Sequence, residues 1–327
     1  MPGNMKKSEI INLLLKEEFG YLPAKPISVE SEEENREVFC AGKALLLKIK
    51  LTCTLENGKF SFPVYYTCPK GDKKHPCFIY INFRDNVSDR YMPSEEIVDL
   101  GCGVLSFCYK DVTDDNGDFI DGLAGIVYPD GKREDSQCGK IGLWAWAIMR
   151  VMDYTQTLDS IDKEYISVLG HSRLGKTALL AGALDERFFC AFSNNSGCSG
   201  AALSRENLGE KIKDITSVFP FWFCKNYLKY ADNEENLPFD QHYLIAANYP
   251  HRVYVASAIE DKWACPENEF LSCVAASRFY EDHGLCGFVH QNRIPDVGDV
   301  FGDGLIGYHL RGGTHCLSRE DWQKYID

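Results

Sequence analysis

Apolar and polar positions along this chain follow two periods, and the change between them divides it. Residues 7–19 set Ile10, Ile11, Leu13, Leu14 and Leu15 among lysines and glutamates, the spacing of an amphipathic helix docked at the edge of a fold. The acidic stretch ESEEENRE (30–37) reads as a solvated linker, so residues 1–30 are expected to be a helix and linker ahead of one domain at 31–327. The segment 44–69 alternates apolar and polar residues around Asn57-Gly58, which predicts an antiparallel hairpin. From residue 77 the pattern becomes short apolar runs: 77–83, 103–109, 165–170, 190–195, 252–258 and 285–290. Such runs suit parallel strands covered on both faces. Helical periodicity lies between them at 141–158, 173–184 and 267–282. This alternation predicts an α/β fold, a mostly parallel doubly wound sheet with an antiparallel N-terminal hairpin.

Composition narrows the classes. The 327 residues are 45% hydrophobic and 25% charged, an ordinary globular balance. A formal net charge of -13 argues against nucleic acid or an anionic membrane as partner, because both would be repelled. No stretch approaches the roughly 18 apolar residues of a membrane span. The apolar run IINLLL near the N-terminus is too short for a signal peptide, so a cytoplasmic location and a small imported substrate are expected. The 14 cysteines include no CxxC pair and lie in apolar segments, so buried reduced thiols are expected.

Chemistry concentrates in GHSRLGKT (170–177). A strand ending at Gly170, a turn holding Ser172 and a helix from Arg173 make the setting of a nucleophile elbow, with Leu174 standing where G-x-S-x-G has its second glycine. Helix capping is the plainer role for such a serine. A serine nucleophile also needs an imidazole and a carboxylate that orients it. Both follow in the order expected of α/β hydrolases: the strand at 252–258 runs into Glu260 and Asp261, and His315 follows Gly312-Gly313. Among the other histidines, His171 adjoins the serine but is expected to point away, His242 and His309 suit a pocket lining and a structural role equally, and His75, His251, His283 and His290 read as bystanders. The same eight residues formally match a phosphate-binding loop, G-x-x-x-x-G-K-T, which leaves a nucleotide-binding protein as an alternative. Against it, the strand at 190–195 ends without an aspartate for magnesium. DVTDDNGDFIDG (111–122) has the wrong glycine spacing for a calcium loop and reads as an active-site loop. No metal or organic cofactor is expected.

WAWAIMRVMD (144–153), GHSRLGKTALLAGALDERF (170–188), SGCSGAALSRE (196–206), FDQHYLIA (239–246), VASAIEDKWACPENEF (255–270) and GGTHCLS (312–318) together resemble the glucuronoyl esterases, carbohydrate esterase family 15, and related bacterial sugar esterases. The resemblance runs over about residues 77–325 and implies an α/β-hydrolase fold. It implies Ser172 as nucleophile, His315 as base, Arg173 at the oxyanion, and Lys176 and Trp263 as sugar contacts. Many members carry a glutamate where this chain has Asn195, in NNSG. The carboxylate is then expected from the later strand, Asp261 first and Glu260 as alternative. The implied substrate is a small glucuronoyl or acetyl-sugar ester. An inactive, ligand-binding member of the fold is the remaining alternative, and nothing in the sequence speaks to oligomeric state.

Overall fold

The computed structural model describes residues 5–327; residues 1–4 of the expected N-terminal segment lie outside the described residues. Ten strands form one sheet: β1 (Ser28–Phe39), β2 (Ala44–Leu55), β3 (Gly58–Pro69), β4 (His75–Asn82), β5 (Gly103–Cys108), β6 (Ile161–His171), β7 (Cys190–Asn194), β8 (Arg252–Ala258), β9 (Val300–Phe301) and β10 (Ile306–Arg311). Their spatial order is β1-β2-β3-β5-β4-β6-β7-β8-β10-β9. The β5-β4-β6-β7-β8-β10 block is parallel throughout, while β1, β2 and β3 form the antiparallel start.

Burial on both faces follows from the pleat. In β4, Cys77, Ile79 and Ile81 join the larger apolar core, while Phe78 and Tyr80 point into a smaller one. The larger core packs under the helices Lys140–Thr155, Arg173–Leu184 and Pro266–Asp282, close to the predicted limits. The smaller is closed by the helices Ser94–Asp99 and Arg319–Ile326, with Trp322 edge-on to Phe78 and Tyr80. All fourteen cysteines are free thiols, eleven of them buried. No helix among the described residues is long and apolar enough to cross a membrane.

Three expectations need correction. The acidic stretch is not a linker: it pairs along its length with β2 as the edge strand β1, with an irregularity between Glu33 and Asn35. Its partner supplies the apolar face, and its exposed charges discourage pairing with another chain. Residues 285–290 make a single bridge, Phe288 to Ile306, because the Phe288 N–H is taken by Ser277 Oγ at 2.8 Å. The place beside β8 belongs to β10, whose buried His309 and Arg311 interrupt the apolar run that marks the other central strands. The N-terminal helix is no appendage either. Lys7–Leu14 continues into a π-helical turn, Leu15–Phe19, and Ile10, Leu14 and Phe19 belong to the main core.

Docking that turn buries Glu18 completely, with Gln241 Nε2 donating to its two oxygens at 3.1 and 3.2 Å. Burial raises its pKa to about 8. A carboxyl raised in this way stabilises the fold fully below the ordinary carboxylate range, and the contribution is lost as pH rises through 8. Glu18→Gln keeps the shape of the protonated acid without its ionisation. Its Tm relative to wild type is expected to climb between about pH 5 and about pH 9; a constant difference would contradict the buried, protonated state.

Candidate active site

One residue turns the chain from β6 into the helix Arg173–Leu184. Ser172 does so at φ 58 and ψ -127, a region costing about 1–3 kcal/mol for a residue with a Cβ. Its N–H donates to Asn194 O at 2.8 Å, and its carbonyl accepts from the N–H groups of Gly175 and Lys176. The turn brings β6 against the first helical turn so closely that a Cβ on Gly170 would lie 1.9 Å from Leu174 O. Gly175 also sits tightly, 3.0 Å from Ser196 Cβ by the same measure, whereas Leu174 points into the core. The second small residue is therefore needed one position later than in G-x-S-x-G. Because strand and helix are separated by a single residue, no multi-residue loop exists to cradle phosphates. The phosphate-loop reading of 170–177 fails on that geometry.

His315 and Asp261 approach from the C-terminal ends of β10 and β8. Nδ1 of His315 donates to Asp261 Oδ2 at 2.5 Å, and the same oxygen accepts Asn195 Nδ2 at 3.0 Å. Burial pushes the Asp261 pKa up, but the His315 and Asn195 contacts outweigh it and hold the carboxyl below its usual range. Glu260 is exposed, its N–H bonded to Gly313 O, so of the two candidate carboxylates Asp261 is the one that meets the imidazole. His171, beside the serine, is buried with Nδ1 on Asn194 Oδ1 at 2.7 Å, its ring 4.5 Å from that of His315. Burial lowers its pKa to about 3, so it is neutral. Neither His242 nor His309 lines the cleft, which leaves both in structural roles.

Ser172, Asp261 and His315 open on one cleft of about 310 Å³, which Arg173, Lys176 and Trp263 also line. Arg173 is clamped. Its Nη1 pairs with Asp115 Oδ2, its guanidinium lies 4.6 Å from the centre of the Trp222 ring, and Trp222 Nε1 donates to Asp115 Oδ1 at 2.7 Å. Tyr109 completes the set, its hydroxyl donating to Asp115 at 3.1 Å. The 111–122 loop thus delivers an anchor for Arg173, a role that sequence spacing did not reveal because the partner is 58 residues away. Lys176 Nζ is buried against the carbonyls of Ser196 and Cys198 and shapes the turn carrying Asn195. Trp263 is 57% exposed at the rim, and its carbonyl accepts the N–H of Glu210, a further half-buried carboxylate of the cleft. Two buried polar atoms here have no partner among the described residues: Arg173 Nε, a donor, and Asn195 Oδ1, an acceptor. Another cavity, of about 630 Å³ between Phe189, Arg252 and Lys324, contains none of the candidate residues.

A serine elbow at the end of a mostly parallel sheet, with histidine and carboxylate on later strand-end loops, defines the α/β-hydrolase fold. Within that fold the chain belongs to the glucuronyl esterase family, carbohydrate esterase family 15: the family model described as "Glucuronyl esterase, fungi" matches residues 51–284. It is similar to a carbohydrate esterase of an unknown prokaryotic organism, 41% identical over 71% of this chain and 54% of that protein. A 4-O-methyl-glucuronoyl methylesterase of Podospora anserina is 30% identical over 95% of this chain and 59% of its own length. The solved structure of a promiscuous CE15 esterase from a marine bacterial metagenome superimposes with a TM-score of 0.89 at 31% identity, over 99% of this chain and 90% of the other. The chain spans somewhat over half the length of these two curated relatives.

The contact at Gly170 makes the elbow sensitive to a single methyl. Gly170→Ala is expected to destabilise the protein by about 3 kcal/mol, the upper range for overpacking, since the obstacle is backbone. Urea unfolding checks this, and a loss under about 1 kcal/mol would mean that the turn relaxes.

Proposed function

We propose that this chain is a serine esterase that hydrolyses a glucuronoyl or acetyl ester of a small carbohydrate through an acyl-enzyme. The observation that carries the reading is the Asp261–His315 pair opening on the cleft where Ser172 stands on its elbow. Nδ1 of His315 is engaged by Asp261, so Nε2 is the nitrogen left to take the Ser172 proton as Oγ attacks the ester carbonyl. Negative charge then develops on the carbonyl oxygen. The N–H of Arg173, at the first helical position, has no intrahelical partner and is available to it, as is the unpartnered Nε of the same residue. Protonated His315 passes its proton to the leaving alcohol, and water releases the acyl or uronoyl group by the reverse sequence.

Asn195 supports this assignment of the acid. An amide donating to Asp261 favours the carboxylate form, whereas a second carboxylate at that distance would compete with it for a proton. A cleft of about 310 Å³ suits one sugar ring and its ester group, with Trp263 offering an indole face and Lys176 and Glu210 polar groups beside it. Similarity to named glucuronoyl methylesterases supports the uronoyl ester over the acetyl one.

With p-nitrophenyl acetate and a benzyl glucuronate ester, Ser172→Ala and His315→Ala are expected to lose at least about 10³-fold in kcat, and Asp261→Asn about 10⁴-fold. Equal turnover by wild type and Ser172→Ala, or inertness of both on a broad ester panel, would leave a ligand-binding protein instead. Asp115→Ala, which frees Arg173 and the Trp222 indole although Asp115 itself does not line the cleft, is expected to lower kcat about 10- to 100-fold, as steady-state kinetics would show.

A further inference from the structure

Arg311, the last residue of β10, has no part in the reaction above, yet its guanidinium divides its N–H groups between Asp321 and the chain around His315. Its side chain is 3% exposed. Nε donates to both oxygens of Asp321 at 3.0 Å. Nη1 donates to Gly312 O at 2.8 Å. Nη2 donates to Thr314 O at 3.3 Å and to Cys316 O at 2.5 Å, the carbonyls immediately before and after His315. The backbone on either side of the imidazole therefore hangs from a single planar nitrogen.

Asp321 holds the other side of the fork. It is fully buried on the helix Arg319–Ile326, and it accepts from the Ser318 N–H at 2.7 Å, from Ser318 Oγ at 2.8 Å and from His309 Nε2 at 2.8 Å. Burial keeps His309 below its usual range, so it serves as a neutral imidazole that donates at Nε2 and accepts the Tyr254 hydroxyl at Nδ1, 3.1 Å away. The C-terminal helix, its cap, the end of β10 and the loop at 312–316 are thus joined through one arginine.

Such a brace answers a need of the loop itself. His315 follows two glycines, the second at φ +87, belongs to no helix or strand, and has a side chain 44% exposed. Glycine-rich backbone loses the most conformational freedom on ordering, while proton transfer tolerates little displacement. A buried ion pair returns little net stability after desolvation, so the pair's main product is geometry. We infer that Arg311, braced by Asp321, is a positioning residue for the esterase reaction: it holds residues 312–316 so that His315 stays within reach of Asp261 and Ser172 together. This rests on His315 being the general base.

Arg311→Lys tests the inference, because an ammonium can pair with Asp321 but cannot span that carboxylate and three loop carbonyls in a plane. The expected result on the benzyl glucuronate ester is a fall in kcat of about 10- to 100-fold, with KM within about twofold. The same substitution placed in His315→Ala is expected to change the residual rate by less than about twofold, since a residue acting through His315 has nothing left to position. Arg311→Met combined with Asp321→Asn removes both buried charges and repeats the test if the lysine variant fails to fold; circular dichroism reports folding. A kcat within twofold of wild type for a folded variant, or an equal loss with and without His315, would overturn the inference. If His315→Ala alone keeps wild-type activity, the esterase reading fails first, and the two failures are told apart.

Discussion

The turn at Ser172 is the constraint on which the site depends. A strand must become a helix within one residue, and that is possible only where the carbonyl of the first helical turn can approach the strand end as closely as Leu174 O approaches Gly170. Ser172 holds a backbone conformation that residues with a Cβ usually avoid, and the cost is met by the extended hydrogen bonding of β6 to β4 and β7 and by the helix behind it, buried from Leu174 to Ala183. The helix also ends up with its first, unpartnered N–H beside the serine. The proposed nucleophile and the proposed oxyanion donor are thus neighbours in the chain, Ser172 at the strained turn and Arg173 directly after it.

Around that turn, three aspartates with covered side chains recur in one role. Asp115 holds Arg173, Asp261 holds His315, and Asp321 holds Arg311; their side chains are 7%, 6% and 0% exposed. Each comes from a different element from the group it orients, and each accepts further hydrogen bonds: Asp115 from Trp222 and Tyr109, Asp261 from Asn195, Asp321 from Ser318 and His309. In a low-dielectric setting such pairs are costly to form and costly to break, which makes them poor sources of net stability and good sources of fixed geometry.

The antiparallel start of the sheet serves a different end. β1 carries acidic residues on an exposed edge, so the long hairpin of β2 and β3 is protected on one side and joined to the parallel block through β5 on the other. The N-terminal helix, through Phe19 and Glu18, fills the core near Gln241 and Tyr227, behind the turn that Lys176 ties down.

The alternation of apolar runs with helical segments by itself determined the α/β class, the limits of the main helices and five of the central strands, because a strand buried on both faces is apolar at most of its positions. The order of Ser172, Asp261 and His315 was legible for a related reason: strand ends deliver side chains to one edge of a parallel sheet. Tertiary structure alone decided the rest. β1 is a strand because β2 lies beside it, not because of its own residues, and β10 hid behind His309 and Arg311, whose polarity is cancelled by Asp321 from another element. The choice of Asp261 over Glu260, the clamp of Asp115 on Arg173 and the fork of Arg311 around His315 share this origin. Each is a contact between residues set by distance in space, and local pattern carries no signal for such pairs.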